Sequence, residues 1–240
     1  MTTLARITIG LLISLLASSC GLDISIGNGK KGNGIVTQDR REVNGGFTEV
    51  SASEGLDVFI TQGDDFEILV EGDENIIDLI GTDIRDQELK IHAIHNIGHA
   101  TKKVYVTLPV ITRLQTSSGA DLATKGMIKA DRISLGASSG SDLQVQLTAD
   151  EVEADTSSGA DIRISGEANL FRADASSGSD IRARDFAVKT CYADASSGAD
   201  IDLYVSGSLT ADASSGGDIS YAGDPSLQER KSVSGSVHKN

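Results

Sequence analysis

The chain has 240 residues, 39% of them hydrophobic but only 4% aromatic and none Trp, which excludes a core built on large rings and implies a narrow one of Ile, Leu, Val and Ala. A net charge of −14 sets the molecule against phosphate backbones and anionic headgroups, excluding nucleic acid as a partner and a polybasic route to the membrane. With 26 Gly and 2 Pro among 23% charged residues, the composition is neither collagen-like nor that of a disordered chain.

Residues 1–19 read as an export signal: Arg6 supplies the positive start, Ile7 to Ala17 are apolar apart from Gly10 and Ser14, and small residues follow. The stretch is too short to span a bilayer. Leu16-Ala-Ser-Ser-Cys20 reads as a lipobox, making Cys20 the expected lipidation site and the mature N-terminus. Several acyl chains give stable attachment where one is marginal. Gly21 and Leu22, with no Asp directly after the cysteine, favour the outer membrane, with the protein facing the periplasm or the outside. Residues 20–43 are expected to be a flexible spacer, since 21–34 alone hold five glycines. Once Cys20 is acylated, Cys191 is the one remaining thiol, and its strand-like neighbours Thr190 and Tyr192 mark it as a small buried hydrophobe.

Residues 44–113 form the first, less regular β portion. Phe47, Val50, Val58 and Ile60, then Phe66, Ile68 and Val70, alternate with polar residues, and Gln62-Gly-Asp-Asp65 supplies a turn. Residues 71–81 suggest one helical turn, capped by Asp73 or Asn75, with Ile76, Ile77 and Ile80 inward. Leu89, Ile91 and Ala93 alternate again, as do Val104, Val106 and Leu108 before Pro109. His92, His95 and His99 lie around the intervening loop, without helix-type spacing or an acidic fourth ligand for a metal.

Residues 114–218 repeat one phrase six times, from Thr116-Ser-Ser-Gly-Ala-Asp121 to Ala213-Ser-Ser-Gly-Gly-Asp218. Its glycines, Gly119, Gly140, Gly159, Gly178, Gly198 and Gly216, are 21, 19, 19, 20 and 18 residues apart. A period this short marks a solenoid, and the absence of a Leu-x-x-Leu-x-Leu frame excludes leucine-rich repeats. Runs such as Asp161-Ile-Arg-Ile-Ser-Gly read as strand, so the expected fold is all-β: a parallel β-helix with coils of about nineteen residues, each holding two or three short strands. The Ser-Ser-Gly corners suit stacking because Gly takes positive φ and small hydroxyls crowd no neighbour. Ala154, Ala173, Ala193 and Ala211 recur before the corners, at an inward position too narrow for a larger side chain.

Stacking also aligns acids. Asp121, Asp142, Asp161, Asp180, Asp200 and Asp218 hold one column, a possible cation-facing ladder, and Asp155, Asp174, Asp194 and Asp212 hold another. Like charges at ~5 Å repel by about 0.8 kcal/mol even in water, so compensation is required. It can come from turn N–H groups, from Arg163, Arg172, Arg182 and Arg184, or from Ca²⁺ bridging successive coils. The Gly-Gly-x-Gly-x-Asp calcium pattern is absent. No other cofactor is expected. Residues 219–240, ending in the alternating Lys231-Ser-Val-Ser-Gly-Ser-Val-His, are expected to cap the open end or pair with the last coil.

Gly45-Gly-Phe-Thr-Glu-Val-Ser, Asp57-Val-Phe-Ile-Thr-Gln-Gly, Val104-Tyr-Val-Thr-Leu-Pro, the Ser-Gly-Ala/Ser-Asp repeats and Tyr221-Ala-Gly-Asp-Pro together resemble the head GIN domain family of auto-transporter adhesins, found in exported Bacteroidetes-type lipoproteins. The resemblance covers about 45–235. It implies a right-handed β-helix-like domain over 44–240 with no established catalytic residues. The expected function is therefore a non-catalytic binding or adhesion module, a tethered rigid scaffold whose partner is an envelope or surface protein or glycan. The alternatives are a polysaccharide-acting enzyme, which would use Asp161, Arg163, Asp180 and Arg182 brought together by stacking, and an envelope accessory or sensing protein acting through protein contacts.

Overall fold

The computed structural model describes residues 29–231 and 234–240; the expected export signal, the expected lipidation site Cys20 and residues 21–28 lie outside the described residues. Among the described residues seventeen strands join in one hydrogen-bonded sheet that winds into a solenoid, with a less regular N-terminal portion. The first repeat coil holds two strands, 121–124 and 128–138, and from Asp142 to Ala213 each coil is one long bent strand instead of two or three short ones. β11 (Asp142–Ser157), β12 (Asp161–Ser176) and β13 (Asp180–Ala195) have 16 residues each and pair in parallel.

The bend is written in the side-chain pattern. Along β12, Ile162, Ile164 and Ala168 point inward, and after a one-residue slip so do Phe171, Ala173 and Ala175. At the slip Asp150, Asn169 and Lys189 have no register partners, while the residues before and after them do. Each strand thus serves two sides of the coil, and inward residues stack in columns. One column runs Ile133, Val152, Phe171, Cys191 and Leu209, all at most 1% exposed. Beside it runs the narrow column of Ala154, Ala173, Ala193 and Ala211. Phe171 meets Phe186 edge to face at 5.3 Å where the column widens.

The two sides meet at the Ser-Ser-Gly corner. Both the second Ser and the Gly have positive φ, 58° at Ser177 and 66° at Gly178, the pair of values that defines a type I′ turn. The turn closes through bonds such as Ala199 N–H to Ser196 O at 3.2 Å. Positive φ at the serine is what the sequence reading missed. The corner also extends the inter-coil ladder: Gly140 N–H donates to Ser158 O at 3.1 Å and Gly178 N–H to Ser197 O at 3.1 Å.

Ser53-Glu54-Gly55 is a further corner of this kind, with φ of 63° at Glu54 and 68° at Gly55, and Gly55 N–H donates to Ser118 O at 3.1 Å. Its coil consists of β2 (Glu49–Ala52) and β3 (Asp57–Gln62), which pair in parallel with β8 (Arg113–Thr116) and β9 (Asp121–Thr124) on one side. On the other side they pair with β6 (Glu88–Ala93) and β7 (Lys102–Leu108). The stack order here departs from chain order. Antiparallel strands finish this end: β4 (Glu67–Asp73) lies on β7, β1 (Val36–Arg41) on β4, and β5 (Ile80–Arg85) on β6.

Two expectations are corrected at this end. Residues 29–43 are not spacer, because 36–41 form β1, and Lys30 exchanges backbone hydrogen bonds with Asn96 and Gly98, each at 3.0 Å. The turn between β4 and β5 is a 3-10 turn, Ile77–Leu79, without a side-chain cap. Ile76, Ile77 and Ile80 are buried as expected. Asp73 is otherwise engaged: its buried carboxylate accepts N–H bonds from Gly34 at 2.5 Å and Thr101 at 2.6 Å. Asn75 accepts from Asn33 N–H at 2.9 Å and donates to Lys31 O at 2.8 Å.

At the far end β14 (Asp200–Ala213) is followed by β15 (Asp218–Ala222), β16 (Ser226–Lys231) and β17 (Ser236–Lys239). β16 pairs with β14 and β17 with β15, so residues 219–240 add a final coil in parallel register. Glu229 continues the Ala211 column, placing a charge where the four preceding coils hold alanine.

Candidate binding faces of the solenoid

Parallel register places Asp121, Asp142, Asp161, Asp180, Asp200 and Asp218 on successive coils, and adds Asp57 above them, next to Lys103. On the other flank of the corner, Asp155, Asp174, Asp194 and Asp212 form the second column, which ends at Arg230. Among the described residues none of these carboxylates accepts a turn N–H, correcting that expectation. The reason is geometric: turn N–H groups are committed to backbone carbonyls, as in Gly140 to Ser158 O at 3.1 Å on the neighbouring coil and Ala199 to Ser196 O at 3.2 Å within the turn.

Arginine does part of the compensation. Arg182 sits 2.6 Å from Asp180 and 3.6 Å from Asp161, and Arg163 lies 3.9 Å from Asp161. The four residues Asp161, Arg163, Asp180 and Arg182 are therefore together, as an ion-paired set. Arg184 reaches Asp202 at 3.3 Å, and His238 Nδ1 lies 3.1 Å from Asp218 Oδ1. Four carboxyls of the two columns are held above their usual range. Burial raises Asp121, with Asp142 and Asp57 adding to it; burial also raises Asp155, reinforced by Glu153 and Asp174. Asp194 and Asp200 are raised for the same reasons, burial first and then the acids above and below.

Arg172 does not join the acids. Its guanidinium lies 4.9 Å from the Tyr192 ring centroid, with Nε 3.6 Å from Glu151. On the side opposite, Phe59 and Tyr105 stack at 5.2 Å across β3 and β7, and Lys125 covers Phe59 at 4.2 Å. His92 Nε2 pairs with Asp83 Oδ2 at 2.7 Å, whereas His95 and His99 are exposed. Among the described residues no group of three or more His, Cys, Asp or Glu converges in metal-binding geometry.

One broad concavity was not foreseen. An open groove of about 1040 Å³ follows the bend across successive coils. Its floor is Ala130, Ala149, Ala168 and Val188, which share a register column. One wall carries Lys129, Thr148 and Glu167; the other carries the bend residues Asp131, Asp150, Asn169 and Lys189. That second wall is wired together: Lys189 Nζ donates to Asn169 Oδ1 at 2.7 Å, and Asn169 Nδ2 to Asp150 Oδ1 at 2.8 Å. The signal was the 19-residue spacing of alanine and polar bend residues, masked by the louder serine–glycine phrase.

A parallel stack of coils with acid-lined corners and a side groove defines a β-solenoid. This chain belongs to the family described as putative auto-transporter adhesin, head GIN domain, whose model matches residues 46–225. Its fold is similar to that of a putative adhesin from Bacteroides fragilis NCTC 9343, with TM-score 0.79 and 18% identity over 88% of this chain and 100% of that one. It is also similar to a putative adhesin from Parabacteroides merdae (TM-score 0.70, 18% identity, 89% and 99% covered) and to a putative lipid binding protein from Parabacteroides distasonis (0.69, 18%, 88% and 98%). At these identities the likeness is one of fold. No curated protein matches the chain.

Proposed function

We propose that this protein is a non-catalytic binding or adhesion module, a rigid scaffold exported by residues 1–19 and held at the outer membrane by acyl chains on Cys20. The observation that carries the binding role is the groove: it is open along its length, floored by small side chains, and walled by polar groups repeating once per coil. A surface glycan or an extended protein segment fits such a trough, since both present hydrogen-bonding groups at regular intervals. The ion pairing of Asp161 and Asp180 with arginine weighs against the enzymatic alternative, which needs a carboxyl group free to give or take a proton.

The test is a binding screen of the 21–240 fragment against surface glycans and envelope proteins, repeated with Ala149→Arg and Ala168→Arg. Both variants should keep the β-sheet circular dichroism signal and lose at least tenfold in affinity. Unchanged affinity would move the ligand seat away from the groove, and turnover of a bound glycan would overturn the non-catalytic role. The acid columns add calcium as a candidate ligand: saturable Ca²⁺ heat that disappears in Asp161→Ala/Asp180→Ala would make the first column a metal-bridged ladder.

A further inference from the structure

The two ends of the solenoid differ in chemistry. At the N-terminal end Ile35, Val36 and Ile94 are 60%, 51% and 51% exposed. Their segments are tied side by side: Glu74 N–H donates to Ile35 O at 2.8 Å, Ile94 N–H to Leu79 O at 2.8 Å, and Gly32 N–H to His99 O at 3.0 Å. Exposed Lys30 and Lys31 share this end with exposed Glu74 and Asp78, so the charged groups around the aliphatic side chains balance in a molecule whose net charge is −14. The opposite end carries exposed Glu229, Arg230, His238 and Lys239.

The length of chain beyond this end says what meets it. Nine peptide steps separate Gly29 from Cys20, which no conformation stretches beyond about 32 Å. One side of the solenoid stacks strands in the order β1, β4, β7, β3, β9, β11, β12, β13, β14, β15, β17. At about 4.8 Å per strand the rod is roughly 48 Å long, longer than its tether. We infer that the N-terminal end, through Ile35, Val36 and Ile94, rests on the phospholipid surface, so that the rod stands on the membrane with its grooved repeats projecting outward. This rests on the proposed tether at Cys20. Three aliphatic side chains would hold a free protein only weakly, but a short tether presents them at millimolar effective concentration. The balanced charge suits a zwitterionic headgroup layer, whereas the acid columns, set along the flanks of the rod, oppose lying down.

The experiment couples the thiol of Cys20 in the 20–240 fragment to a maleimide lipid in phosphatidylcholine–phosphatidylethanolamine vesicles, Cys191 being buried, and applies hydroxyl-radical footprinting with and without vesicles. Side-chain modification of Ile35, Val36 and Ile94 should fall several-fold on tethering, while that of Leu227 at the other end stays the same. In an Ile35→Asp/Ile94→Asp variant the protection of Val36 should vanish with the melting temperature unchanged. Equal modification at both ends with and without vesicles, or protection that survives the double substitution, would overturn the inference. The mass of Cys20 in native membrane extracts is a separate readout: an unacylated cysteine would sink the native tether while leaving the contact itself measured.

Discussion

Asp57 faces Asp121 across β3 and β9 in parallel register, although five strands separate them along the chain. Asp57 therefore extends the acidic column of the repeats into the N-terminal portion, and its charge helps to raise the Asp121 carboxyl. Removing one member of the column should relieve its neighbours. Asp121→Asn is expected to raise stability by about 0.5–1 kcal/mol at low ionic strength, the scale of one or two hydrated like-charge contacts. In 1 M salt the gain should disappear. Urea melts at the two salt concentrations check this.

Raised carboxyls also set a pH dependence of unusual sign. Asp121, Asp155, Asp194 and Asp200 bind their protons more tightly in the fold than in the unfolded chain. Their contribution is fully present below the ordinary carboxylate value and is lost as pH rises through the raised folded values. The thermal midpoint should accordingly be higher near about pH 5 than near about pH 7.5. Asp83 works in the other direction: its hydrogen bond from His92 lowers its carboxyl, so its contribution fades only under stronger acid.

Glycines of the repeats differ in what they tolerate. A Cβ on Gly178 would meet nothing within 4 Å, so Gly178→Ala should cost about 1 kcal/mol, from positive φ alone, and Gly178→Asn less. Valine there is β-branched and should cost about twice as much as alanine. A Cβ on Gly166 would lie 1.9 Å from Leu147 O of the neighbouring coil, so Gly166→Ala should cost roughly 3 kcal/mol or more and lower the melting temperature well below that of Gly178→Ala.

Cys191 is stacked between Phe171 and Leu209, and burial pushes its thiol up to about 12. A disulfide reagent at pH 8 should leave it unmodified in the native fold and react with it fully in denaturant. Cys191→Ser should destabilise by about 1–3 kcal/mol, because a hydroxyl in that column has to give up water.

Asp73 fastens the entering chain to the rest of the fold through Gly34 and Thr101. Asp73→Ala should leave both amides buried or half-buried without their charged acceptor, at a cost of about 2–4 kcal/mol. Hydrogen exchange at Gly34 and Thr101 should accelerate, and exchange in β12 and β13 should stay slow.

The repeats were legible because their information is local. A six-residue phrase every nineteen residues fixes the corner, and the alternation after it fixes which side chains enter the core. The corner at Glu54 carries the same logic with two residues changed, Ala-Ser-Glu-Gly-Leu-Asp, and escaped notice because Glu replaced the second Ser and Leu the small residue after Gly. Positive φ at the second serine was not legible, since serine rarely adopts it alone; here the backbone ladder between coils holds it there. Of the three compensations open to the acid columns, turn N–H groups fell away because the backbone carbonyls had already taken them. The position of β2 and β3 between later strands left no mark in the sequence at all, because side-chain alternation reveals a strand but not its neighbours.

That inserted coil has a consequence in time. A chain that emerges from its N-terminus completes β2 and β3 at residue 62, but their parallel partners on either side end only at residues 108 and 124. Until then this layer is a pair of unsatisfied edges with two bare apolar columns, and no early folding unit can include it. The coils from 128 onward, whose contacts span about nineteen residues, can close on one another without waiting. Assembly should therefore begin in the middle and end at the beginning, with the N-terminal portion the last to become protein-like.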